Sequence, residues 1–284
     1  MTPEQKTIVI TGCSSGFGRR TALHLARHGW AVYATVRKDT DRASLHAEAT
    51  AQGSAEQLTP VICDITNAEH VAALAQIVAA ATPGLNALLN NAGTSFPAPL
   101  ELLPVADFRA QLEINVVGQL AVTQALLPLI KVARGIIIFV GSDSGRVAFP
   151  VTGAYAASKF ALEAIGDALR VELAPFGIHV VLLEPGPSPT SIWETSKQWA
   201  LASWAHGDTG AYASLIAAVE NAASRRAAAG FPPQLFAEAV LRILNTPRPR
   251  ARYPIPRHTA VMIVLRQLMP DGLWDWAVRR MLRW

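Results

Sequence analysis

Short, largely apolar runs alternate with longer stretches of helical period along most of this chain. Ile8–Ile10, Ala31–Val36, Leu58–Cys63, Ala87–Leu89, Gly135–Val140 and His179–Leu183 have the form of strands buried on both faces. Between them, helical periodicity predicts helices near Gly18–His28, Ala43–Ala51, Glu69–Ala80, Val105–Leu127 and Ala154–Ala174. Strands that alternate with helices build βαβ units. The pattern therefore predicts an α/β fold, a Rossmann-type doubly wound parallel sheet flanked by helices.

The alternation stops near Pro185. Residues 187–230 hold Trp193, Trp199, Trp204, Tyr212 and many alanines, with no strand pattern. A helix is expected at Pro233–Leu244. The run from Pro247 to Pro256 is too rich in proline to be helical. Two short amphipathic helices, Ala260–Leu268 and Leu273–Leu282, close the chain. The expected organisation is one domain over 1–284, with 187–230 as a substrate lid and 246–284 as a C-terminal extension.

Composition narrows the class. Hydrophobic residues make up 51% and charged residues 16% of the chain, which describes a large core and not a disordered chain. Net charge is +4, yet eight arginines and two aspartates after Thr246 give that segment +6 and leave the rest at −2. No nucleic-acid motif accompanies the basic segment, so it reads as a solvated face. The polar start, Met1 to Thr7, does not resemble a signal peptide, and no contiguous apolar run approaches the ~18 residues of a membrane span. Cys13 and Cys63 form neither a disulfide framework nor a metal spacing. Free thiols suit a reducing, cytoplasmic setting.

Candidate chemistry begins after the first strand, with Thr11-Gly12-Cys13-Ser14-Ser15-Gly16-Phe17-Gly18. Glycines at a strand-to-helix turn let backbone approach a pyrophosphate, and the helix amino terminus favours its charge. The spacing is Gly-x-x-x-Gly-x-Gly and not Gly-x-Gly-x-x-Gly. At the end of the second strand stands Arg37, with Lys38 beside it. With Ser14 or Lys38 it would accommodate a ribose 2′-phosphate, pointing to NADP(H); if Asp39 or Asp41 reached the ribose instead, NAD(H) would be favoured. Tyr155 and Lys159 stand four apart and share a helix face, and Ser142 precedes Tyr155 by thirteen residues, just past a strand. A phenol titrates near about pH 10, and a lysine held close would bring it toward the range of efficient proton transfer.

These motifs in this order resemble the short-chain dehydrogenase/reductase family over about residues 6–190. They are Thr11-Gly-x-x-x-Gly-x-Gly18, Cys63-Asp64-Ile65, Asn90-Asn91-Ala92-Gly93, Asn115, Ser142, Tyr155-x-x-x-Lys159 and Pro185-Gly186 with Thr190. Gly12-Cys-Ser-Ser-Gly16 and Tyr33-Ala-Thr-Val-Arg37 are similar to the hydroxysteroid and retinol dehydrogenase branch. The resemblance implies that Tyr155 is the acid in carbonyl reduction and the base in alcohol oxidation. It implies that Lys159 lowers the tyrosine pKa and bonds the nicotinamide ribose, that Ser142 binds the substrate oxygen, and that Asn115 holds a water leading from Lys159 to solvent. A helix asparagine satisfied by backbone is the plain alternative at 115, and Ser144 is the rival to Ser142.

Cofactor contacts implied in the same way are Gly12, Ser14, Ser15, Gly16, Phe17, Gly18, Arg37, Asp64 at the adenine, Ile65 beside it, and Asn91, Ala92 and Gly93 at the ribose. Pro185, Gly186, Ser188 and Thr190 would meet the nicotinamide and diphosphate. Ser188 departs from the family's usual Val or Ile, and prolines flank it on both sides. The expected activity is hydride transfer between NADP(H) and a lipophilic carbonyl or alcohol, by a homodimer or homotetramer. A nucleotide-sensing protein on the same fold is the alternative. The lid aromatics read equally as a substrate pocket or as packing. Trp274, Trp276 and Trp284 among Arg279, Arg280 and Arg283 admit a membrane interface, but cover over the cleft or a subunit contact is the preferred reading.

Overall fold

Alternate residues along the central strands face opposite sides of one sheet, so each strand feeds two cores. Ile8, Ile10, Leu89, Ile138, Val181 and Leu183 belong to one core, while Val9, Leu88, Ile137, Phe139, Val180 and Leu182 belong to the other. The computed structural model describes residues 5–204 and 209–284. Its elements run β1 (Thr7–Ile10), α1 (Gly16–Arg27), β2 (Ala31–Val36), α2 (Asp39–Ala51), β3 (Leu58–Ile62), α3 (Ala68–Ala81), β4 (Ala87–Asn90), α4 (Val105–Leu112), α5 (Gly118–Ala133), β5 (Ile136–Val140), α6 (Gly153–Leu173) and β6 (His179–Pro185). The lid contributes α7 (Ser191–Trp204) and α8 (Ala213–Ala228). The chain ends with α9 (Pro233–Leu244), β7 (Arg252–Ile255), α10 (Thr259–Leu268) and α11 (Asp271–Leu282).

All strand pairs are parallel, in the order β3-β2-β1-β4-β5-β6-β7. The order changes direction between β1 and β4, so a crevice opens at their carboxyl ends. The doubly wound sheet and its helices match the sequence expectation, with strand and helix bounds shifted by a few residues.

Two expectations are corrected. The proline-rich connection contains a seventh strand, with Leu182–Pro185 of β6 pairing with Arg252–Ile255. Proline lacks an amide donor and is excluded from central strands, but an edge strand needs only one bonded side. Pro254 in β7 and Pro60 in β3 both lie in the outermost strands. The segment after Thr246 is therefore part of the sheet before it is an extension. Second, Val105–Ala133 is one helix of 29 residues, long and apolar enough by composition to cross a membrane. Scattered polar residues hide this in a search for contiguous apolar runs. Its buried face carries Gln111, Asn115 and Gln119, which bond the loop after β4, and Thr123, which accepts from Asn90 of β4, so it serves here as a core helix.

An ionic cluster ties β7 to the body. The Arg252 side chain donates to Glu163 of α6 at 2.8 Å and to Asp167 at 2.7 Å, and Arg146 donates to Glu184 of β6 at 3.1 Å. Burial pushes the Glu163 and Glu184 carboxyls up, and the two guanidiniums oppose that shift. Removing Arg252 would strand buried negative charge. Arg252→Ala is expected to lower folding stability by about 3 kcal/mol, read as a lower denaturant midpoint at unchanged slope. A change below about 0.5 kcal/mol, the range of ordinary surface substitutions, would show that the cluster does not hold β7.

Candidate active site

The crevice between β1 and β4 is built by hydrogen bonds between their carboxyl ends. The Thr11 hydroxyl accepts from the Asn91 and Ala92 amides at 2.9 and 3.0 Å. Asn91 Nδ2 donates to the Thr11 and Gly12 carbonyls at 2.8 and 3.1 Å. This seam brings the glycine turn so close that side chains are excluded. A Cβ at Gly12, whose φ is +71°, would lie 2.8 Å from Ala92 Cα, and one at Gly18 would collide with the Gly12 carbonyl oxygen. Helix α1 opens at Gly16 with no acidic residue in its first turn. Bare backbone ahead of a helix amino terminus suits a dinucleotide diphosphate, so the residues fit the group the motif implies.

Other predicted contacts divide into exposed and internal ones. Ser14, Ser15, Arg37 and Gly93 are exposed, the first two on the glycine turn. Asp64 accepts from the Thr66 amide and hydroxyl at 3.0 and 2.7 Å. Those bonds, with Arg37 and His70 nearby, hold its carboxyl below the usual range although partial burial works the other way. Asp39 is engaged by Arg42 at 2.8 Å. Ile65 and Phe17 serve the body as well as the cleft. Ile65 is buried where a Cβ on Gly118 would touch it. The Phe17 ring stacks on Phe236 with centroids 4.2 Å apart. The Gly186 amide donates to Ile255 of β7 at 2.8 Å, and the Thr190 amide to the Ser188 carbonyl at 2.8 Å. Ser188 is turned inward, its hydroxyl donating to the Phe231 carbonyl at 2.7 Å. That bond pins the start of the lid to the residue that follows its end, just before α9.

Ser142 caps a single turn after β5, its Oγ accepting from the Ser144 amide at 3.1 Å and donating to Asp143 Oδ1 at 3.0 Å. Tyr155, near the start of α6, lies close enough to Ser142 for the serine hydroxyl to act on its phenol. Burial nevertheless pushes the phenol up to about 12, with Asp143 adding to the rise and Ser142 opposing it. Lys159 does not sit on the phenol oxygen. Its Nζ donates to the Val140 carbonyl at 2.7 Å and lies 5.5 Å from the Tyr155 ring centre. Burial brings its pKa down to about 8. The expected lowering of Tyr155 is thus not what this arrangement gives, because a desolvated ammonium takes the nearest carbonyl and the phenol's own burial dominates.

Asn115 stands in a π-helical turn, Glu113–Val117, between α4 and α5. Its Oδ1 accepts from the Thr94 amide at 2.8 Å, and its Nδ2 donates to the Thr94 carbonyl at 2.9 Å and to Ser158 Oγ at 3.0 Å. The side chain therefore clamps the loop after β4 onto α6, between Tyr155 and Lys159. Gln111 and Gln119 hold the same loop through Thr94, Phe96 and Ala92. Sequence reasoning passed over these two glutamines, although their spacing from Asn115 places them on its helix face.

Two polar contacts tie residues 187–230 to the loops around this region. Arg226 of α8 meets Asp143 at 3.3 Å, and the Tyr212 hydroxyl donates to Glu101 at 2.6 Å. No motif marks either pair. Trp199 tilts against Phe96, centroids 5.0 Å apart, in a cluster with Ala98, Leu103 and Ala154. The side chains of Trp193 and Trp204 lie outside those described.

A short chain dehydrogenase family model matches residues 6–201. Uncharacterized oxidoreductase YusZ of Bacillus subtilis is 33% identical over 280 residues, covering 98% of this chain and 99% of that one. Retinol dehydrogenase 16 of Homo sapiens is 41% identical over 202 residues, 70% of this chain and 61% of that protein. Among solved structures, a short chain dehydrogenase/reductase from Burkholderia phymatum in complex with NAD superposes with a TM-score of 0.81, at 23% identity and 93% coverage of both chains.

Burial of Lys159 has a thermodynamic consequence. Its folded-state pKa of about 8 lies below the usual 10.5, so the unfolded chain binds the extra proton. Stability from this group is lost as pH falls through that window, by roughly 3 kcal/mol in full. Lys159→Met is expected to be more stable than the parent at pH 7 by roughly 1–2 kcal/mol, after loss of the bond to Val140. The difference should shrink toward pH 10 in chemical denaturation. A gap that stays constant across this range would refute the assignment.

Proposed function

The chain belongs to the short-chain dehydrogenase family, and on that premise we propose that it moves hydride between NADP(H) and a lipophilic ketone, aldehyde or alcohol. The observation that carries this is Ser142 acting on the Tyr155 phenol, just past the carboxyl end of β5 in the sheet whose β1 carries the glycine turn. Family membership makes it an NAD(P)-dependent oxidoreductase acting on CH–OH groups. The choice of nucleotide, the substrate class and the residue roles are our reading.

When bound, the dinucleotide supplies the hydride for carbonyl reduction and accepts it in alcohol oxidation. Ser142 orients the substrate oxygen, placing a donor where negative charge develops. Tyr155 Oη gives that oxygen a proton in reduction and takes one back in oxidation. With its phenol pushed up to about 12, Tyr155 stands as an acid at neutral pH. In the working complex Lys159 would leave the Val140 carbonyl for the nicotinamide ribose, and its charge would then favour the phenolate. Asn115 belongs to this system as the residue that joins the π turn to α6, from which a water would lead protons to Lys159.

Arg37 supports NADP(H). It is exposed at the end of β2, while the next acid along the chain, Asp39, is engaged by Arg42. A guanidinium matches a 2′-phosphate, and a free carboxylate at that place would repel it. Aromatic packing supports a lipophilic substrate, since Trp199 of the lid packs on Phe96 and Phe149 on Trp274 in apolar clusters. Retinol dehydrogenase 16 is named for a substrate of that character. We further propose a cytoplasmic homo-oligomer. A role confined to sensing nucleotide would leave the Ser142–Tyr155 pair without use.

Tyr155→Phe keeps the ring and removes the proton. Steady-state turnover of lipophilic ketones, followed by nicotinamide absorbance, is expected to fall by at least about a hundredfold. Turnover equal to the parent would end the assignment. For Arg37→Ala, the preference for NADPH over NADH in kcat/KM is expected to drop by about tenfold or more, the cost of a lost charge-assisted contact. An unchanged ratio would remove Arg37 from the cofactor site.

A further inference from the structure

The inner face of α11 is buried. Val278 and Leu282 pack with Leu215 and Ile216 of the lid helix α8 and with Val151. The outer faces of α10 and α11 are different. An amphipathic helix ordinarily turns its apolar stripe to the core, yet of α10 only Thr259 and Ile263 are buried. Val261, Val264, Leu265 and Leu268, at i, i+3, i+4 and i+7, form one stripe that is 48–78% exposed. Helix α11 also exposes Leu273 and Trp276, with Arg280 on the same helix face by spacing. Met281 is exposed at its end and Trp284 half exposed, the indole stacked on Tyr212 with centroids 5.9 Å apart, next to exposed Arg279 and Arg283. Five arginines and two aspartates lie between Arg257 and Trp284, and Asp271 is already engaged by Arg266 at 2.7 Å.

We propose that the outward face of α10 and α11 docks on an anionic lipid bilayer, lying in the plane of the interface. The acyl boundary takes the aliphatic stripe, indole rings settle at the polar border, and lipid phosphates take the guanidiniums. At 10 and 12 residues both helices are too short to span, which needs about 20. Charge decides against a second copy of the chain as the occupant. A two-fold interface would set the same patch against itself, crowding Arg279, Arg280 and Arg283 of both copies with little acid to offset them. Docked in this way, α11 would lie between the bilayer and the lid helix α8. The inference holds whatever the cleft transforms.

The test uses the full chain with extruded vesicles of phosphatidylcholine alone and of phosphatidylcholine with phosphatidylglycerol, read by co-sedimentation and tryptophan emission. Binding is expected with the anionic vesicles, together with a blue shift in emission. Affinity should weaken by at least about tenfold in the Arg279→Glu/Arg280→Glu double variant and in high salt. Leu265→Glu/Leu268→Glu alters only exposed side chains and should abolish binding, with circular dichroism and nucleotide affinity unchanged. Failure of the parent to bind anionic vesicles would overturn the proposal, as would equal binding by the Leu265→Glu/Leu268→Glu variant. So would a parent that ignores vesicles and forms an oligomer which that variant turns to monomer, because the stripe would then be covered by a second copy.

Discussion

The seam between β1 and β4 is the constraint on which the rest of this molecule depends. The two strands are neighbours in the sheet, yet nearly eighty residues of chain separate them. Parallel pairing aligns their carboxyl ends, and the Thr11 and Asn91 bonds lock the two following loops together. Once locked, the glycine turn has no room for a Cβ at Gly12 or Gly18. The same closeness leaves backbone as the wall of the crevice. Loss of side chains in this turn and the capacity to approach a diphosphate are two results of one geometry.

Helix α6 brings the second half of the site to that edge, and its electrostatics show why the site costs stability. A phenol, an ammonium and a carboxylate follow one another along the helix as Tyr155, Lys159 and Glu163, and burial disfavours the charged form of each. Arg252 and Arg146 answer Glu163, whereas Lys159 has a backbone carbonyl. Functional sites commonly carry such unresolved charge, because groups that are fully satisfied in the resting protein have little left to give a ligand. The Asn115 clamp and the Gln111 and Gln119 bonds keep the surrounding backbone fixed while these groups change partners.

Periodicity made most of the fold legible, since a parallel sheet covered on both faces demands continuous apolar strands and leaves little ambiguity between strand and helix. The glycine turn, Ser142, Tyr155 and Lys159 were legible because chemistry there requires particular residues at particular spacings. Strand β7 was not, because edge strands accept the prolines that ordinarily signal a break. The lid's ties, Arg226 to Asp143 and Tyr212 to Glu101, follow no spacing rule and join positions 83 and 111 residues apart. Nor could the sequence separate a helix whose apolar stripe faces the core from one whose stripe faces out. Helix α10 has a helix-forming pattern in either case.

By itself, then, the sequence determined the class of fold, the order of its first six strands along the chain and the candidate groups for the site. Those are local matters, governed by which side chains recur at which period and which backbone positions tolerate only glycine. Tertiary structure alone decided where each group's hydrogen bonds go. It gave the Lys159 ammonium to Val140, turned Ser188 away from the cleft toward Phe231, and placed Asp143 between Ser142 and the lid. Such choices depend on desolvation and on partners distant in the chain, and neither is written in a residue's near neighbours.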